Sequence, residues 1–127
     1  MAIIRSFRDL RVYGQSRAEV QRIFQATKTF PAEEKYSLTD QVRRSSRAVK
    51  SMIAEAWGHR RYQASFISKL TNAIGEANET QSWLDDALDC GYITVSVHKD
   101  LDAAWQSIGG GINKMIERAE DFCRNAE

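Results

Sequence analysis

Apolar residues in this chain recur at alternating steps of four and three, the signature of helices with one buried face. The pattern is fullest in the third quarter, where Phe66, Leu70, Ile74, Ala77, Gln81, Leu84 and Leu88 fall on one stripe. That spacing predicts a helix over 62–90, closed by Gly91 in the left-handed conformation with Tyr92 and Ile93 folded back over its last turn. Leu38, Val42, Ser45, Val49, Met52 or Ile53, and Ala56 repeat the steps over 38–57, with Ser37 and Asp40 at capping-box spacing. Ser6 and Asp9 stand in the same relation ahead of Leu10, Tyr13, Val20, Phe24 and Thr27, which predicts a helix over 7–29 that Pro31 stops. Val97, Leu101, Ala104, Ile108, Ile112, Met115, Ala119 and Phe122 predict a fourth over 96–124.

Four amphipathic helices joined by short loops read as an all-α, up-down-up-down antiparallel four-helix bundle, one domain over residues 1–127. A single proline and seven glycines fit long helices better than a turn-rich sheet. Gly109, Gly110 and Gly111 interrupt the fourth helix at about 1 kcal/mol each relative to alanine. Either another helix backbone comes close there or the helix breaks. A chain of 127 residues with 43% hydrophobic content can build one core without metal or disulfide staples. Cys90 and Cys123 are isolated, so two buried thiols are expected. The longest apolar run is Met1 to Ile4, too short for a membrane span or a signal peptide, and a cytoplasmic location is the expectation.

Catalytic constellations fail on inventory. His59 sits at an interhelical turn and His98 at the start of the fourth helix; neither has a second His or Cys at ligand spacing, so no metal site is expected. Ser45 and Ser46 lie mid-helix without a nucleophile elbow, and the triglycine run lacks the Lys-Ser/Thr ending of a phosphate loop. Glu55, Glu76 and Glu79 have no Glu-x-x-His partner, which removes a di-iron bundle. Trp57, Trp83 and Trp105 are read as core or interface packing. The expectation is a non-enzyme without a cofactor.

Charge changes the picture. The total is +1, yet residues 1–70 hold 14 basic against 6 acidic side chains and residues 71–127 hold 4 against 11, balances of +8 and −7. Folded as helix pairs, such a chain has a basic side and an acidic side. Arg43, Arg47 and Lys50 form one stripe of the second helix turned from its apolar face, with Arg44 to the other side. Arg8, Arg11 and Arg22 make a comparable stripe on the first helix, and Arg60 and Arg61 add charge at the turn beyond the second. Planar guanidinium forks suit phosphate, so RNA or DNA backbone binding by these nine residues is the sharper expectation. The alternative is a protein-interaction scaffold whose basic and acidic faces serve subunit or partner contacts, head-to-tail contacts of this kind closing into rings.

Phe7-Arg8-Asp9-Leu10-Arg11-Val12-Tyr13, Thr29-Phe30-Pro31 and Glu33-Glu34-Lys35-Tyr36-Ser37-Leu38 resemble the first half of the four-helix-bundle proteins encoded in 23S rRNA intervening sequences. Gln41-Val42-Arg43-Arg44-Ser45-Ser46, Ile53-Ala54-Glu55, Glu79-Thr80-Gln81, Leu84 and Gly91-Tyr92 continue the resemblance to about residue 93. Met52 and Ala56 depart from it, standing where the family commonly has Asn and Gly. That family is also similar to the accessory variability proteins of diversity-generating retroelements. The resemblance implies a ring-like homopentamer whose basic surface binds nucleic acid and a reverse transcriptase or other protein partner.

Overall fold

The computed structural model describes residues 3–123, which form five α-helices and no strand. Helix α1 spans Arg11–Thr27, α2 Asp40–Gly58, α3 Gln63–Asp89, α4 Val95–Glu117 and α5 Ala119–Cys123. Each long helix packs on the next, α4 returns against α1, and α5 folds onto α3. Among the described residues no helix is long and apolar enough to cross a membrane.

The α3 stripe behaves as its spacing requires: Phe66, Leu70, Ala77 and Leu84 are buried, and Gly91 takes φ +77°. Backbone N–H groups of Tyr92 and Gly91 donate to the Ala87 and Leu88 carbonyls, both at 2.9 Å. These paired bonds satisfy the carbonyls that a helix end leaves open. Trp105 of α4 is completely buried beside Ile108 and Ile112, whereas Trp57 and Trp83 are half-buried at the margin of the core. A hydroxyl pair, Ser45 with Thr80 at 2.8 Å, joins α2 to α3 inside the core. Each hydroxyl also meets a carbonyl of its own helix, so burial leaves neither unsatisfied.

Several boundaries move. The Ser6–Asp9 capping box forms, but it caps a 3-10 turn, Phe7–Asp9, and α1 starts only after Leu10 breaks to extended backbone. Helix α1 ends at Thr27, ahead of Pro31. Ser37 caps nothing: its hydroxyl donates to Glu34 Oε1 at 2.6 Å from within a π-helical turn, Lys35–Thr39, that leads into α2. Val97 is 40% exposed, so the buried stripe of α4 begins at Leu101, and the fourth helix divides at Arg118 rather than running on. Cys123 is buried and its thiol pKa is pushed up by that burial, but Cys90 is exposed, because it lies past the last buried turn of α3.

The triglycine run does not break α4. A Cβ on Gly111 would lie 2.7 Å from Val12 Cγ1 of α1, while Gly109 and Gly110 have nothing within 4 Å. Close approach of a neighbouring helix accounts for Gly111 alone.

Candidate nucleic-acid interface

Arg43, Arg44 and Arg47 come from the first two turns of α2 and line one open surface depression together with Asp40. Arg44 therefore joins the other two rather than standing on a separate side. None of the three forms an ion pair with a described residue.

Arg43 and Arg47 take their order from α1. Arg43 is half-buried, donates from Nε to Thr27 Oγ1 at 2.8 Å, and holds its guanidinium carbon 4.7 Å from the centre of the Phe24 ring. Thr27 is fixed in turn, its buried hydroxyl donating to the Ile23 carbonyl at 2.8 Å. Arg47 lies 6.0 Å and the Lys28 ammonium 5.1 Å from the same ring. An aromatic face attracts cations through its quadrupole and carries no net charge. Three cations are thus positioned without being neutralised.

Four of the six carboxylates of the basic half face other partners. Asp9 accepts backbone N–H bonds from Arg5 at 2.9 Å and Ser6 at 3.2 Å, which hold its pKa below the usual value. Hydrogen bonds from Ser37, and from Tyr92 at 2.9 Å, lower the pKa of Glu34, and the same carboxylate pushes the Tyr92 phenol up to about 12. Glu19 faces Arg22 at 3.0 Å, and Glu55 is exposed with its oxygen 4.0 Å from Lys69 Nζ. Asp40 is the carboxylate that lines the arginine depression.

The remaining expected residues do not line this depression. Arg22 bonds Glu19 and reaches Asp100 of α4, so its charge is internally compensated. Arg8 lies in the 3-10 turn with its guanidinium 4.5 Å from the Phe7 ring, and Arg11 lines a groove between α1 and α4. Lys50 continues the α2 stripe, half-buried. Arg60 stacks 3.5 Å from the Trp57 ring and donates to the Trp57 carbonyl at 2.8 Å, beside the exposed Arg61.

Sequence reasoning missed Phe24, Thr27 and Lys28 as parts of this site, having assigned the first two to the core stripe. The four-residue step from Phe24 to Lys28 was a visible signal of a cation over an aromatic ring. It also missed a second cluster: Asp85 of α3 with His98 and Asp102 of α4, one ligand-type atom from each lying within 4.8 Å of the others. The signal for it was the four-residue step from His98 to Asp102, which puts both on one helix face.

Comparison with known proteins agrees with this architecture. Residues 8–114 match the family model of the 23S rRNA-intervening sequence protein. A crystal structure of a protein of unknown function from the S23 ribosomal protein family of Bacteroides thetaiotaomicron superposes with a TM-score of 0.75 at 29% identity, covering 84% of this chain and 95% of that one. No curated protein matches. With its model spanning most of the sequence, the chain belongs to the 23S rRNA-intervening sequence protein family.

Proposed function

We propose that this protein is a non-enzymatic nucleic-acid-binding accessory protein, an antiparallel four-helix bundle that assembles as a ring-like homopentamer and offers the α2 arginines to an RNA or DNA backbone. The observation that carries the reading is the ordering of Arg43 and Arg47 by the Phe24 ring instead of by carboxylates. Guanidinium groups held this way keep their forks for phosphate oxygens, and each phosphate neutralised releases counterions. Recognition is through charge and shape, with no element among the described residues resembling a base-reading helix.

The test is polarisation of a labelled 20-base-pair duplex against salt. Three neutralised phosphates predict an affinity loss of about 40-fold between 50 and 200 mM salt on DNA. The triple variant Arg44→Glu, Arg47→Glu, Lys50→Glu spares Arg43, whose Nε serves α1, and should lose binding with its helical circular dichroism unchanged. Binding by that variant equal to the parent protein's would defeat the reading.

A second reading is favoured by the Arg22–Asp100 contact, which already pairs the basic half with the acidic half inside one chain. Repeated between chains, it makes a protein-interaction scaffold. Light scattering across a salt series separates the two: salt-dissolved assemblies that retain no polynucleotide at low salt favour the scaffold.

A further inference from the structure

The second cluster lies on the other half of the molecule. His98 and Asp102 are four residues apart on α4, so both project from one face, and Asp85 meets them from the last turns of α3. His98 Nε2 is 2.8 Å from Asp85 Oδ1. Gln81, one turn before Asp85, donates from Nε2 to Asp102 Oδ1 and to Gln106 Oε1, each at 3.1 Å. That bond holds the Asp102 carboxylate by one oxygen, and the other has no hydrogen-bond partner among the described residues. The imidazole is mostly covered, its side chain 18% exposed, while Asp85 is 66% exposed, so the group opens to solvent on one side.

We infer that Asp85, His98 and Asp102 form a binding site for a divalent transition-metal ion of the zinc class. One imidazole nitrogen with two carboxylate oxygens is a donor set that suits zinc, manganese or iron rather than the all-oxygen shells of magnesium and calcium. Ligands at about 2.1 Å from a tetrahedral ion lie about 3.4 Å apart. The present separations, 2.8 Å for one pair and none above 4.8 Å, bracket that value, so small side-chain rotations suffice. The open side of the cluster gives a fourth position to water, as in zinc sites with three protein ligands. Surrounding charge agrees, since residues 71–127 carry 11 acidic against 4 basic side chains. Gln81 acts as a positioning residue, fixing the carboxylate that the ion would use. The ion would replace the Asp85–His98 hydrogen bond and staple the end of α3 to the start of α4.

This inference is independent of nucleic-acid binding and is tested on untagged, EDTA-washed protein. Titration with Zn²⁺ by calorimetry, and with Co²⁺ followed by its visible absorption, should show one ion per chain. A hundredfold excess over Kd should raise the melting temperature by about 8–10 °C. Asp85→Asn, at an exposed position, and His98→Gln should each abolish the Co²⁺ spectrum, and Gln81→Leu should weaken zinc about 10- to 100-fold. Zinc bound equally well by the Asp85→Asn and His98→Gln variants would overturn the assignment, as would no uptake by the parent protein at 100 μM metal. Should His98→Gln lose helical structure, Asp85→Asn decides: retained Co²⁺ absorption there refutes the site.

Discussion

The two halves of the molecule treat charge in opposite ways. On the α1–α2 side, arginines stand over Phe24 and against Thr27, ordered by groups that leave their charge intact. On the α3–α4 side, carboxylates meet an imidazole and an amide, and at Asp100 an arginine from the other half. A +8 and −7 division could have cancelled across the interior. Instead most of each sign faces outward, and the difference lies in what restrains it: an aromatic ring keeps a cation available to an anion, whereas paired carboxylates converge on a position for a cation.

The seam between the halves offers the strongest test of how they are joined. Gly111→Ala places a methyl against Val12 and should cost about 1–3 kcal/mol in urea unfolding. Gly110→Ala, one residue away with open space at its Cβ, should instead stabilise by up to about 1 kcal/mol. Equal effects would mean that α1 and α4 are not in contact at Gly111.

Phe24→Leu sharpens the account of the basic side. It keeps an apolar neighbour but removes the ring face, and should weaken duplex binding about two- to fivefold, from a cation–π contribution of about 0.5–1 kcal/mol, with stability little changed. The acidic side carries an internal like-charge pair, Glu76 with Glu79. Burial, then the nearby Glu79, raises the Glu76 pKa, so ionising it opposes folding. Glu76→Gln should stabilise by about 0.2–0.5 kcal/mol at pH 7. The advantage should shrink as pH falls through the raised folded-state value and vanish below the ordinary glutamate pKa of 4.5.

The smallest effect is at the bond between the halves, Tyr92 to Glu34. The Glu34 pKa is lowered by Ser37 and Tyr92, so its contribution is present above 4.5 and is lost as pH falls through the folded-state value. In acid urea titrations the parent protein should therefore lose stability over this window relative to Glu34→Gln, in which position 34 no longer titrates.

Legibility followed locality. The α3 stripe and its Gly91 ending were readable because repeat and stop are both set by residues within a few turns. The start of α2 was not: Ser37 and Asp40 have cap spacing, but the chain enters through a π-helical turn that spends the Ser37 hydroxyl on Glu34. Arg43, Arg44 and Arg47 were legible as basic positions, yet the convergence of Arg43 and Arg47 on Phe24 depends on how α1 packs on α2. Asp85 and His98, 13 residues apart, meet only through the α3–α4 turn. Val97 continued the apolar rhythm in sequence, although the helix end that carries it lies beyond the core.

The central claim is that the α2 guanidinium groups stay open to solvent in the native protein. Phenylglyoxal labelling read by mass spectrometry tests it directly, with and without duplex. The account predicts rapid modification of Arg44 and Arg47 in the protein alone and protection when duplex is bound. Arginines that resist labelling in the native protein, yet react once it is unfolded, would contradict it.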